Sequence, residues 1–324
     1  MSKCNDKFNS IFADKLYSFV KFKQGMGWSY SDASRALVCF DKYVIERKYT
    51  TPIITKELIN SWIENYPNAN QTTIRIRLII IREFAKYCEH MGMESYCNFE
   101  IPKKSHAFKP YIFSVIEINE FFEVADRYPK KKSTYTHLVV PLFFRLLYYC
   151  GLRCAEAINL HIRDINIKNQ TLYIEKSKYG KSRYVPMSED VLKHIIEYIN
   201  IVHNNSDTDA LLFTNVHGDP LSEKCIYTKF RNILWKAGIM HGGRGNGPRM
   251  HDLRHSYAVH RLQQWIEDGV NTNSMLPYLS AYMGHENIYM TEEYLHLTYE
   301  QFSLITQKME PFNSVIPKVG DYLG

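Results

Sequence analysis

From Phe8 to about Met91 apolar residues recur at steps of three and four, a spacing that gathers them on one side of a helix and commits the first part of the chain to helices packed on one another. The runs are FNSIFADKLYSFVKF, SYSDASRALVCFDKYVIE, TKELINSWIENY and QTTIRIRLIIIREFAKYCEH, which predict four helices. Breaks fall at Gly25-Met26-Gly27, Thr50-Thr51-Pro52 and Pro67-Asn68, where glycine, proline or asparagine interrupts the period. Ser29, Thr55 and Asn70 stand where their side chains can cap the helix that follows. Nothing in this region has the look of a catalytic set.

The next segment, IPKKSHAFKPY, holds two prolines and three lysines with little apolar content, and reads as a basic linker over residues 101–110 between a helical domain at 1–100 and a second domain at 111–324. Such a linker is either a solvated connector or a strap across a polyanion. With 45% hydrophobic and 23% charged residues, the 324-residue chain is that of an ordinary globular protein of two domains, which excludes disorder over most of its length. A net charge of +6 admits a nucleic-acid partner without demanding one. The seven cysteines, 4, 39, 88, 97, 150, 154 and 225, are scattered, odd in number and never in C-x-x-C pairs, so neither a disulfide framework nor a zinc knuckle is indicated and a reducing cytoplasm fits. The opening MSKCNDKFNSIFADKL is charged throughout, and nowhere do about eighteen apolar residues run together, which argues against secretion and membrane spanning.

Beyond Tyr111 the spacing predicts helices near 114–127 and 135–150 and over Ala155–Leu160. In INIKNQTLYIEKSKYGKSRYVPM the β-prone runs LYIE and RYVPM flank the polar SKYGKS, which predicts an antiparallel hairpin with a basic tip carrying Lys178 and Lys181. Helical spacing then resumes, apart from the glycine-rich HGGRGNGPR at 241–249 and the final PFNSVIPKVGDYLG. That glycine-rich loop lacks the GK[ST] ending of a nucleotide-phosphate loop.

MHDLRHSYAVHRL carries the most chemistry: His251 and Arg254, three apart on one helix face, can point at a single anion, with the guanidinium forking onto two oxygens and the imidazole moving a proton. The bland reading is a basic surface helix. A zinc helix is the rival, since His251 and His255 are four apart, but Arg254 would face the metal, Asp252 is a methylene short of the usual base and no third ligand stands out. In LLYYCGLRCAEAINL, Glu156 lies three residues after Arg153 and can orient a guanidinium, although in isolation that run reads more readily as two core helices meeting at Gly151. LSAYMGHENIYMTEEYLHL places His285 after a glycine turn and Tyr294 nine residues later. A phenol with a pKa near 10 is a nucleophile at neutral pH only beside a proton acceptor and a cluster of cations.

GLRCAE, SKYGKSRYVP, HDLRHSYA, MGH and a tyrosine nine residues after that histidine, in this order across residues 150–296, resemble the signature of the tyrosine recombinases, the phage-integrase family. The resemblance implies a mainly α fold: a helical core-DNA-binding domain and a catalytic domain of helices with a small antiparallel sheet, closing as a C-shaped clamp on DNA. It implies Arg153 and Arg254 as phosphate clamps, Lys178, or failing it Lys181, as general acid for the 5′-oxygen, His251 as phosphate ligand or acceptor of the phenolic proton, His285 as ligand of a nonbridging oxygen and Tyr294 as nucleophile. Glu156 is then a supporting residue, and Tyr289, four residues after His285, is the rival nucleophile. No metal or other cofactor is expected. The implied partners are double-stranded DNA core sites, four protomers on two such sites and an accessory directionality factor, with residues 299–310 as a helix packed in its own domain or exchanged with a neighbour. Cys154, Ala155 and Tyr179 depart from the family's common residues, and no further N-terminal domain is evident, so a two-domain enzyme on short core sites is expected. Integration or excision of a mobile element is preferred over chromosome-dimer or plasmid resolution. The alternatives are a type IB topoisomerase and a DNA-binding regulator that has lost catalysis.

Overall fold

The structure, a computed structural model, describes residues 8–298 except 29, 67–68, 104–108, 131–133, 176–181, 205–206, 216 and 244–246. Its chain divides into two compact units, Met1–Phe108 and Lys109–Gly324.

The first unit contains α1 (Ala13–Gly25), α2 (Ser31–Glu46), α3 (Lys56–Glu64) and α4 (Gln71–His90). Their apolar faces meet in a core that includes Phe12, Leu16, Phe19, Leu37, Phe40, Ile59, Trp62, Ile81 and Phe84, with Phe40 edge-on to Trp62 at 5.4 Å between ring centroids. Thr55 caps α3 by accepting from the Leu58 amide, and Asn70 caps α4 by accepting from the Thr72 amide. Ser29 lies outside the described residues; the position preceding α2 is Tyr30, whose φ is 51° and whose side chain caps nothing. The first helix begins at Ala13 rather than Phe8, because the Asn9 and Ser10 amides donate to the Asp41 carboxylate at 2.8 and 3.0 Å and fasten that segment to α2 as a turn. Phe8 and Phe12 remain core residues, so the apolar spacing persists without the helix.

In the second unit, α5 (Val115–Asp126) opens with a reciprocal cap between Ser114 and Glu117. The apolar α6 (Thr136–Tyr149) is buried along most of its length and packs against α5, α8 (Glu189–Val202) and α10 (Met250–Glu267). Short α7 (Cys154–Ile158) precedes a three-stranded antiparallel sheet of β1 (Ile165–Asn166), β2 (Thr171–Ile174) and β3 (Arg183–Pro186). Leu172 pairs with Val185 and Ile174 with Arg183, which fixes the register of the predicted hairpin. The additional strand, β1, is two residues long, too short for a period-2 pattern to reveal it. α9 (Glu223–Lys236) and α11 (Thr272–Met283) complete the unit, and residues 289–298 are again helical. The fold is thus mainly α with one small antiparallel sheet, as the sequence predicts. No helix among the described residues is long and apolar enough to cross a membrane.

Gly151 turns the chain between α6 and α7 with φ +59°, and an added Cβ would lie 3.0 Å from Met283 Sδ and 3.1 Å from Tyr257 Cδ1. Gly151→Ala should therefore cost roughly 1–3 kcal/mol through backbone strain and overpacking, read as a lowered midpoint in urea. Gly25→Ala, at the end of α1 where a Cβ meets nothing within 4 Å, should leave the midpoint unchanged or raise it; equal effects at both positions would contradict this account.

Candidate active site

Glu156, on the first turn of α7, holds the second unit's arginines together. Arg183 grips it bidentately, Nη1 to Oε1 at 2.9 Å and Nη2 to Oε2 at 2.8 Å. Arg153 adds its Nη1 to Oε1 at 2.7 Å and its backbone amide to Oε2 at 2.9 Å, and Arg254 Nη1 stands 3.9 Å from Oε2. Burial by itself would raise the Glu156 carboxyl; the hydrogen bonds and charge of Arg183, then the Arg153 amide and Arg254, outweigh it and hold the group at about 2. One carboxylate thus faces three guanidiniums, so the cluster keeps an excess of positive charge for an incoming anion.

The far ends of the same arginines converge on the C-terminus of α11. Arg183 Nε donates to the carbonyl of Tyr282 at 2.8 Å, Arg254 Nη2 to that of Met283 and Arg153 Nη2 to that of Gly284 at 2.8 Å, while Arg254 Nη1 also donates to the Gly151 carbonyl. Three consecutive carbonyls can face outward here because Gly284, with φ +63°, ends the helix in the left-handed conformation and leaves them without helical partners. The negative end of the helix dipole adds to their attraction for cations.

Tyr294 lies in the helical stretch 289–298, its side chain in a small apolar cluster with Ala258, Val259 and Leu262 of α10 and Leu276, Leu279 and Met283 of α11. The hydroxyl meets His255 Nδ1 at 2.8 Å, and the His285 ring stacks on the phenol at 5.8 Å between centroids. His285 Nδ1 is engaged with Thr291 Oγ1 at 2.8 Å. Burial raises the phenol to about 12 against the opposing pull of Arg254 and Arg153. Burial first, then His251 and Arg254 for the one and Arg254 and Arg153 for the other, brings His255 and His285 down to about 3, so both imidazoles are neutral at physiological pH. His251 stands at the exposed rim with its ring edge-on to His255 at 4.6 Å; packing on its inner side and then Arg254 and Arg153 shift it in the same direction.

Arg153, Glu156, Arg254, His285 and Tyr294 thus come together in one unit, with His251 at the rim. Lys178 and Lys181 lie outside the described residues, as do residues 299–310. Tyr289, the rival nucleophile, is 71% exposed against 5% for Tyr294. Asp252 does not face a metal with His251 and His255; its carboxylate turns back to accept from the Arg249 amide at 2.7 Å and the Arg249 guanidinium at 3.2 Å. No group of three metal-ligating side chains occurs among the described residues. Sequence reasoning missed Arg183, yet β3 carried a signal: Arg183 is in phase with buried Val185, so a charged side chain points to the inner face and needs a buried partner. It also missed the approach of His255 to Tyr294, having weighed that histidine only as a metal ligand.

The chain belongs to the phage integrase family, whose model matches residues 114–301, and it is a tyrosine recombinase by class. It is 28% identical over 296 residues to integrase/recombinase y4rB of Sinorhizobium fredii, covering 88% of this chain and 93% of that protein. Among solved structures, XerH site-specific recombinase in a post-cleavage complex with palindromic difH substrate matches with a TM-score of 0.63 at 18% identity, over 90% of this chain and 87% of that one. The Tn1549 transposon integrase in complex with transposon right-end DNA matches with a TM-score of 0.60 at 16% identity, over 86% and 94%.

Two outcomes follow from the electrostatics. Glu156→Gln removes the anion from beneath three guanidiniums and should cost roughly 3 kcal/mol or more in urea denaturation; a loss below about 1 kcal/mol would show that the arginines do not need it. For pH, Glu156 sits near 2 in the fold against an ordinary 4.5, so its contribution is complete above about pH 4.5 and disappears as pH falls toward 2. His255 and His285 lie near 3 against 6.5, so below about pH 6.5 the unfolded chain takes up protons that the fold refuses. Melting temperature should thus be level above about pH 7 and fall progressively between about pH 6.5 and 4; a flat or rising profile on acidification would contradict it.

Proposed function

We propose that this chain is a site-specific DNA recombinase that breaks and rejoins strands through Tyr294. The phenolic oxygen attacks a backbone phosphorus, a bond forms from phosphorus to Tyr294 as the bond to the 5′-oxygen breaks, and a 3′-phosphotyrosyl ester holds the strand. Arg153 and Arg254 bind the nonbridging oxygens and stabilise the charge of the pentacoordinate transition state. His251 and His285 add hydrogen bonds to the phosphate, and Lys178 protonates the departing 5′-oxygen. Glu156 positions the guanidiniums.

The observation that carries this reading is a single buried tyrosine hydroxyl held beside imidazoles and within the field of two arginines. Arginines and a lysine supply the positive charge that a divalent ion would otherwise bring, neutral imidazoles add hydrogen bonds, and the phosphotyrosyl ester conserves the energy of the broken bond, so the reaction calls for neither metal nor ATP. The substrate is double-stranded DNA at a short core site, with the helical unit at 1–100 as the core-binding domain and residues 101–110 as the strap between domains. Four protomers act on two such sites in the cytoplasm, with an accessory protein setting direction. Integration and excision of a mobile element is the favoured role, resting on the departures at Cys154 and Ala155 from the residues common in the family.

Incubation with a nicked duplex carrying its own attachment site should leave a covalent protein–DNA adduct on a denaturing gel for the wild type and for Tyr289→Phe, and none for Tyr294→Phe. An adduct in Tyr294→Phe would move the nucleophile elsewhere, and no adduct with any variant on a proven site would leave a DNA-binding protein without catalysis.

A further inference from the structure

A phenol pushed up to about 12 by burial cannot attack at neutral pH unless a neighbour takes its proton. Two imidazoles, His255 and His285, lie against Tyr294 and a third, His251, lies beside His255; geometry separates them. His285 turns Nδ1 to Thr291 and lays its ring face against the phenol rather than a nitrogen toward the hydroxyl. His251 stands at the rim, on the side of His255, and makes no recorded contact with the hydroxyl. Among the described residues, His255 is the one whose ring nitrogen lies at hydrogen-bond distance, 2.8 Å, from the Tyr294 hydroxyl.

We infer that His255 is a catalytic residue of this enzyme, the general base that takes the Tyr294 proton on Nδ1 during strand cleavage and returns it during rejoining. This rests on the reading of Tyr294 as nucleophile. With the hydrogen of the neutral ring on Nε2, Nδ1 offers its lone pair to the phenol. In cleavage the phenolic proton passes to Nδ1, the phenolic oxygen bonds to phosphorus, the electron pair of the breaking bond stays on the 5′-oxygen, and Lys178 supplies that oxygen's proton. In rejoining, a 5′-hydroxyl gives its proton to the lysine and attacks phosphorus, and the departing Tyr294 oxygen recovers its proton from the His255 imidazolium. The titratable and charged groups facing His255 are His251, Arg254, Arg249 and His285; the two guanidiniums oppose an imidazolium, as either neighbouring imidazole does once protonated. A phosphodiester on the arginines supplies the offsetting negative charge, which ties proton transfer to the presence of DNA.

The test is single-turnover cleavage of the nicked attachment-site duplex by full-length wild type, His255→Gln and His251→Gln, each with tyrosine or a more acidic fluorinated tyrosine at position 294. His255→Gln should cleave about a hundredfold or more slowly while still binding the duplex, and the fluorinated tyrosine should restore much of that loss because its phenol needs less help to ionise. His251→Gln should show no such rescue. Cleavage by His255→Gln within a few fold of the wild type, or a slow variant that the acidic phenol does not rescue, overturns the inference. Should His255→Gln not fold, ring nitrogen-15 shifts of the wild type decide: an unprotonated Nδ1 on His255 that responds to Tyr294→Phe supports the base, and a hydrogen on Nδ1 overturns it. Absence of an adduct from the wild type would instead remove the reading of Tyr294 itself, whereas a normal adduct with an indifferent His255→Gln would remove only the base.

Discussion

The site depends on the Glu156 carboxylate. Guanidiniums as close as those of Arg153, Arg183 and Arg254 repel one another, and their burial increases that cost because the surrounding medium screens little. Glu156 compensates without neutralising them. Its position one turn into α7, with a carboxylate oxygen on the amide of Arg153, makes the anion also the helix's own N-terminal partner, so local secondary structure and site electrostatics are set by one side chain.

That arrangement explains why the tyrosine is kept protonated and close at the same time. Packing among apolar residues of α10 and α11 withholds the water a phenolate would need, while the arginines pull the other way. Neutral imidazoles leave the balance on the side of the phenol. An anion on the arginines changes the terms for these titrating groups at once, because Arg254 enters the shifts of His255, His285 and Tyr294 alike.

Much of this was legible in the sequence, and what was not shares a physical cause. Helical periodicity and the caps at Thr55 and Asn70 are local properties, readable within a turn or two of chain, and so were the fold class and the positions of Arg153, Arg254, His285 and Tyr294 within recognisable segments. The start of α1 was misplaced because Asp41, some thirty residues away, competes for the amides of Asn9 and Ser10. Arg183 escaped notice because its partners, Glu156 and the Tyr282 carbonyl, come from different elements and become neighbours only after the sheet packs against α11. The His255 contact is likewise non-local: a spacing of four along α10 says which face the ring shares with His251, and only the return of the chain through Gly284 brings a hydroxyl to it.

The end of α11 has a bearing on how the protein can vary. Arg183, Arg254 and Arg153 are anchored there by the carbonyls of Tyr282, Met283 and Gly284, and a carbonyl belongs to the main chain whatever residue carries it. At Gly284 a Cβ would strain the left-handed turn and lie 2.9 Å from Arg183 Nη1, but side-chain changes at Tyr282 and Met283 would erase neither of their acceptors, so that part of the electrostatic framework is invisible to substitution genetics. It would respond instead to changes in chain length: one residue inserted into the last turn of α11 would rotate all three oxygens away together, shifting the arginine framework and the tyrosine that follows it in a single step.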